Sequence, residues 1–194
     1  MEAKIAKIEG NYLLYINGRS TPVPITELHD NTWSYSVKTR HGWRVLSKKG
    51  GLLSKPYDEL RYVRTSYIAK RNNKFALLSP IGEILLPCRY EEIDIFNYSS
   101  TFLVKRNNKY GLVDCDGQFL LPAIYDSITH APVPLSEYPQ SQYGIAKRDW
   151  ELNIFDSSNG RIVFSSSEII DVIQIEQDYV YAYDCDFHIT TFTL

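Results

Sequence analysis

The sequence predicts an all-β chain of about six tandem antiparallel β-meander or hairpin units, and three observations predict it. The segment AKRNNKFALLSPIGEILLPCRYEEI at residues 69–93 returns as VKRNNKYGLVDCDGQFLLPAIYDSI at residues 104–128, without insertion or deletion. A fixed period of this kind marks one supersecondary unit that buries its apolar face only by stacking on copies of itself. Glycines recur between short apolar runs at Gly18, Gly50, Gly82, Gly117 and Gly160. Fifteen tyrosines against a single methionine tilt the composition toward strands.

In the clearest repeat the order is a strand FLVK, a polar turn RNNK, a strand YGLVD, an Asp116-Gly117 turn, a strand QFLLP and the segment YDSI. Asp-Gly between alternating runs predicts a two-residue hairpin turn with positive φ at both positions. Asn17-Gly18 and Asn159-Gly160 supply the same chemistry near the two ends. A sixth hairpin pairs YVYAYD with FHITTF around Cys185-Asp186, without the glycine, as expected of a terminal repeat. Pro87 and Pro122 close the third strand, Tyr90 and Tyr125 follow, and then Ile93 and Ile128; Pro56, Tyr57 and Leu60 are a shortened version. A proline that lacks an N–H belongs at a strand end or edge. The tyrosine supplies a large apolar ring whose hydroxyl reaches water or backbone. The repeats form a curved array or a propeller-like ring, and closure depends on the rotation per repeat.

At 194 residues the chain is expected to form one domain over 1–194, burying roughly 70% of the surface its unfolded form exposes. The first twenty residues hold no apolar run long enough for a secretory signal, and no later stretch approaches a membrane span, so a cytoplasmic location is expected. Cys88, Cys115 and Cys185 are odd in number and far apart, which fits reduced, semi-buried thiols better than a disulfide framework or a zinc site. The net charge of −2 conceals an asymmetry. Residues 1–64 carry eleven Lys/Arg against six Asp/Glu, whereas only acids, Glu168, Asp171, Glu176, Asp178, Asp184 and Asp186, follow Arg161. That polarity is readable as partner chemistry.

At Tyr110-Gly111, Asp114, Gly117, Pro122, Tyr125-Asp126 and Ile128 the chain resembles the bacterial WG-repeat family. Units of that family run as aromatic-Gly, apolar strand, Asp-x-x-Gly turn, apolar strand ending in Pro, then Tyr-Asp/Glu and Ile. The aromatic-Gly pair becomes Phe75-Ala76, Trp43-Arg44 and Leu152-Asn153 in other repeats, while Tyr143-Gly144 is out of register with Gly160. The resemblance implies an array of antiparallel β units and no catalytic motif. Some such repeats also look like components of toxin–immunity loci.

Catalysis needs convergent titratable groups, yet His29, His41, His130 and His188 lie in different repeats with no nucleophile motif beside them. No enzyme activity, cofactor or metal is therefore expected. In DCDFH, a continuous strand would set Asp184, Asp186 and His188 on one face as metal ligands, but the turn placed there breaks that alignment. A row of Lys70, Arg71, Lys74, Lys105, Arg106, Lys109, Lys147 and Arg148 would attract phosphate backbones. It also suits solvated hairpin turns, and acids after each Tyr offset its field, so no nucleic-acid partner is expected.

The irregular stretches carry more information. Residues 129–142, THAPVPLSEYPQSQ, hold three prolines in one long connection, and residues 27–35, ELHDNTWSY, form a second irregular link. In QDYVYAYDCD, alternation sets Tyr179, Tyr181 and Tyr183 on one face and Val180 and Ala182 on the other. Outward small residues would bury the rings; outward rings among acids would suit a protein interface with a basic partner.

The function expected is that of a non-enzymatic, protein-binding repeat protein, an immunity protein that neutralises a bacterial toxin by direct binding and occlusion. Glu176, Asp178, Asp184 and Asp186 would steer a basic toxin domain, and Tyr179, Tyr181 and Tyr183 would supply contact area. The 129–142 loop, with Tyr138, and Trp150 form the alternative surface. A carbohydrate- or cell-surface-binding repeat, or an enzyme whose site the sequence does not display, are the competing readings.

Overall fold

Two kinds of turn alternate in the central repeats and set the strand lengths between them. Asn72-Asn73 and Asn107-Asn108 are left-handed at both positions, with φ of 52° and 60° and of 53° and 58°. Asparagine tolerates this region better than most side chains, and such paired turns match the twist of the strands they join. The glycine turns differ from the two-residue form expected. Backbone bonds from Ser79 N to Glu83 O (2.8 Å) and from Asp114 N to Gln118 O (2.9 Å) leave three residues in each loop. Only the last of these, Gly82 (φ 90°) or Gly117 (φ 78°), is left-handed. One extra residue reverses the chain with a single left-handed position, so Asp116 needs no unusual φ.

The computed structural model describes residues 3–17, 22–49, 51, 53–96, 101–132, 142–176 and 179–194. Gly18, Gly50, Tyr138, Asp178 and most of the 129–142 loop lie outside them. Among the described residues the regular structure is 21 strands and no helix, in six small sheets. Three-stranded sheets comprise β1 (Ala3–Ile8), β2 (Asn11–Ile16) and β3 (Val23–Ile25), then β4 (Glu27–Asp30), β5 (Ser34–Thr39) and β6 (Gly42–Ser47). Four-stranded sheets follow: β7 (Glu59–Val63) to β10 (Ile84–Tyr90) through β8 (Ser66–Arg71) and β9 (Lys74–Leu78), and β11 (Glu92–Ile95) to β14 (Phe119–Tyr125) through β12 (Phe102–Arg106) and β13 (Lys109–Val113). The next holds β15 (Ser127–His130), β16 (Tyr143–Arg148), β17 (Glu151–Asp156) and β18 (Ile162–Ser166). The last is three-stranded: β19 (Ile169–Glu176), β20 (Tyr179–Asp184) and β21 (Ile189–Thr193). Neighbouring strands pair antiparallel, as in β8 with β9 and β12 with β13.

The two copies of the repeat are equivalent in burial as well as in sequence. β9 and β13 share one pattern of exposed and buried positions, and β10 and β14 share another. Pro87 and Pro122 do not end their strands; each sits inside a seven-residue strand at the edge of its sheet. The register explains it: Leu121 pairs with Leu112 and Tyr125 with Tyr110, so four residues of β14 answer two of β13. The bulged stretch needs no ladder donor from the proline. Its backbone folds over Gly111, where a Cβ would fall 2.8 Å from Ala123 N and 2.9 Å from Leu121 O. The aromatic-Gly pair and the proline thus answer one another across two strands.

The chain divides into two compact units, residues 1–93 with 115–117, and residues 94–114 with 118–194. In the first, Ala3, Leu14, Val37, Leu46 and Leu53 form one buried cluster, and Val45, Tyr57, Tyr67, Ala69, Ala76 and Leu78 another. ELHDNTWSY is not the irregular link expected there. It builds β4, a turn and the start of β5, and it seats a buried hydroxyl. Ser34 Oγ lies 2.6 Å from Tyr67 Oη, Asn31 Nδ2 donates to the same oxygen at 2.9 Å, and Ser34 Oγ donates to Pro80 O at 2.7 Å. A buried hydroxyl needs such partners, and the link's polar residues supply them.

In the second compact unit Phe96, Leu112, Leu121, Tyr125, Ile128, Ala146 and Phe155 pack together. Burying a side chain such as Leu112 contributes about 1.5–3 kcal/mol. A further cluster, including Leu152, Ile154, Ile169, Val172, Val180 and Ala182, underlies the last sheet.

Candidate functional site

Alternation along β20 resolves which way its tyrosines face. Val180 and Ala182 are fully buried, whereas Tyr179 is 52% and Tyr183 39% exposed and Tyr181 half-buried. The small residues pack inward because they fill the cluster of Ile169, Val172 and Ile175. The rings are left on the outer face. Register places Tyr179 between Glu176 and Thr193, Tyr181 between Gln174 and Thr191, and Tyr183 between Asp171 and Ile189. Gln174 Nε2 donates to Glu176 Oε2 at 3.3 Å. Two exposed isoleucines, Ile173 and Ile189, extend the apolar part of this face. Sequence reasoning missed both. Pairing β21 across the Asp184 turn would have set Ile189 beside Tyr183, and β19 carries a bulge between Val172 and Gln174 that hides Ile173 from simple alternation.

Asp184 belongs to the turn more than to the face. Its Oδ1 accepts from Asp186 N at 3.0 Å and His188 N at 2.8 Å, and the backbone closes between Asp184 N and His188 O at 3.0 Å. Asp114 accepts from Gln118 N in the same way, and Ser79 Oγ from Glu83 N. The Asp of the Asp-x-x-Gly turn is therefore a side-chain cap that satisfies loop N–H groups. The turn reading of DCDFH holds, and Asp184, Asp186 and His188 do not share a strand face. Among the described residues no cluster of three or more metal-ligating side chains occurs. Glu176 and Asp186 are exposed. Cys185, expected to be semi-buried, is exposed because the turn carries it outward, while Cys88 and Cys115 are half-buried.

Trp150, at the turn between β16 and β17, is 89% exposed. It borders a 380 Å³ pocket with Lys147, Glu151, Leu152, Ile169 and Cys185 among its walls. The pocket adjoins the tyrosine face: Asp171, opposite Tyr183, accepts from Lys147 Nζ at 2.9 Å. The structure thus brings Trp150 beside the C-terminal acidic sheet, two surfaces that lie apart in sequence.

The basic row is largely neutralised within the chain. Lys70 pairs with Glu59 at 2.9 Å, Lys109 with Asp126 at 2.5 Å and Lys147 with Asp171 at 2.9 Å, while Lys74 approaches Glu91 at 3.9 Å. The Lys109 ammonium, and then the Asp149 backbone N–H, hold the Asp126 carboxyl below its ordinary pKa. Asp126, which follows Tyr125, is counter-charge and turn cap together, since its Oδ2 accepts from Asp149 N at 2.9 Å. After Tyr57 the two roles are divided: Glu59 pairs with Lys70, and Asp58 Oδ2 accepts from Asn72 N at 2.8 Å.

No curated protein matches the chain. Among solved structures, apo AztD from Citrobacter koseri is similar at 11% identity and a TM-score of 0.39, over 98% of this chain and 72% of that one. Hsv2 from Kluyveromyces lactis is similar at 10% identity and 0.35, over 99% and 70%. The WD40 domain of Neurospora crassa Pan2 is similar at 13% identity and 0.30, over 88% and 60%. None of these likenesses bears on function. The family described as "WG containing repeat" matches residues 78–110, the stretch from the end of β9 through the Pro87 bulge to Tyr110. Over those residues the chain is similar to the WG repeat.

Proposed function

We propose that this chain is a non-catalytic, protein-binding repeat protein that acts in the cytoplasm as an immunity protein, occluding a basic toxin domain with the outer face of its last sheet. The observation that carries the proposal is the outward row Tyr179, Tyr181 and Tyr183, continued by Ile173 and Ile189 and rimmed by Asp171, Glu176 and Asp186. Aromatic anchors inside a charged rim supply contact area and slow dissociation, while the acids raise the association rate for a basic partner. A sheet face is rigid, so little conformational entropy is lost when it is covered.

The experiment is binding of the full chain to the protein encoded beside its gene, followed by calorimetry and stopped flow. Tyr179→Ala with Tyr183→Ala is expected to weaken binding about a hundredfold or more, since each anchor contributes on the order of 2 kcal/mol. Glu176→Lys with Asp186→Lys is expected to slow association in a salt-dependent way with little change in melting temperature. Asp184 is left intact because its carboxylate holds the turn. Unaltered binding by the tyrosine variant would remove this face from the proposal. A glycan or nucleic acid as the bound partner would remove the immunity reading.

A further inference from the structure

The three tryptophans of this chain are not treated alike. Lys38 Nζ lies 5.3 Å from the Trp43 ring centroid, and Lys49 Nζ lies 5.7 Å from that of Trp33. Each of those indoles is covered by a cation of its own chain, which is attracted to the negative face of the ring. Trp150 has no such cover among the described residues and is 89% exposed. Its two neighbouring cations are engaged elsewhere: Lys147 Nζ on Asp171 at 2.9 Å and Arg148 Nε on Asp149 at 3.7 Å. Two cations therefore stand against three carboxylates, Asp149, Glu151 and Asp171, and no cation among the described residues comes within ion-pair distance of Glu151.

We infer that the pocket beside Trp150 receives a cationic side chain of the protein partner, an arginine foremost. This deepens the function proposed above and rests on it. The guanidinium would stack on the indole and face the Glu151 carboxylate, while its aliphatic stem lies against Leu152 and Ile169, which line the same pocket. Arginine suits the site better than lysine because its planar, weakly hydrated head stacks on an aromatic face and pairs with a carboxylate at once. The pocket continues into the tyrosine face through Lys147 and Asp171, so one partner surface spans both.

The test needs no toxin. The ¹⁵N-labelled full chain is titrated with an acetylated, amidated tri-arginine peptide, and the Trp150 indole N–H signal is identified by its loss in Trp150→Leu. A saturable shift of that signal is expected. A tri-citrulline peptide, which keeps the shape and lacks the charge, leaves it unmoved. Followed at the backbone amide signals of residues 151 and 152, which both variants retain, Trp150→Leu and Glu151→Gln each weaken the peptide by about fivefold or more. Both positions are exposed, so their replacement leaves the fold intact, which the remaining spectrum verifies. No saturable shift, an equal shift with citrulline, or unweakened binding by Trp150→Leu overturns the inference. Overturning it while the toxin still binds, and still depends on Tyr179 and Tyr183, removes the cation socket alone. Failure of the toxin to bind removes the wider reading and leaves the peptide result standing by itself.

Discussion

Gly160 lies so close to Leu120 that a Cβ on the glycine would fall 2.7 Å from the leucine Cβ and 2.8 Å from its carbonyl oxygen. Gly117 stands in the same relation to Leu85, with 3.0 Å to that Cβ. The turn glycine meets two requirements together. It takes up a left-handed φ of 74° at Gly160, and it leaves room where the turn seats on the last strand of the preceding repeat. That seat is what makes the glycine recur at the spacing of the repeat.

Gly160→Ala is expected to lower the unfolding free energy by about 2–5 kcal/mol, the sum of a left-handed non-glycine residue and an overpacked contact. Gly10→Ala separates the two contributions. Gly10 is also left-handed (φ 84°), but a Cβ there meets nothing within 4 Å, so its cost is about 1–2 kcal/mol. Urea unfolding of the two variants measures the difference.

Phe187 occupies the glycine position of the last turn at φ 61°, and its ring is 75% exposed. Phe187→Gly relieves the left-handed conformation and loses almost no packing. Release of about 1–2 kcal/mol of strain outweighs the extra entropy of a glycine in the unfolded chain, about 0.4–1 kcal/mol. The variant is expected to melt at a higher temperature in a thermal scan, and a lower one would show that the ring packs.

His130 stacks on Phe96, with centroids 4.2 Å apart and planes 14° apart, and burial pushes its pKa below the ordinary value. Below about pH 6.5 the unfolded chain binds a proton that the folded chain resists. Stability is expected to fall as pH drops from there through the folded value. His130→Phe keeps the stacked ring and removes the titration, so its unfolding free energy should stay flat across that range. Chemical denaturation on both sides of it provides the measurement.

Much of the fold was legible in the sequence because periodicity and turn chemistry are local. The duplicate at 69–93 and 104–128 announced equivalent β-meanders, and Asp-Cys-Asp before a non-glycine announced a final turn. The alternation of Tyr179 to Tyr183 showed that the rings share a face. It did not show which face, because alternation is symmetric until something packs on one side. The cluster around Val172 and Ile175 broke that symmetry by accepting Val180 and Ala182.

What the sequence determined by itself, then, is the repeat: strand order, turn positions and the residues that recur. Only the tertiary structure decided the purpose of several of them. Pro122 belongs to a bulge because its backbone must clear Gly111, a contact between strands that no single segment encodes. Glu59, Glu91 and Asp126, just after Tyr57, Tyr90 and Tyr125, reach Lys70, Lys74 and Lys109 because acids and lysines of different strands meet there. Trp150 and Cys185 stand thirty-five residues apart in the chain, and they line one pocket because the turns of two sheets come together there. Contacts of that kind depend on how repeats stack, and stacking is set by side-chain volumes summed over whole sheets rather than by any one stretch of sequence.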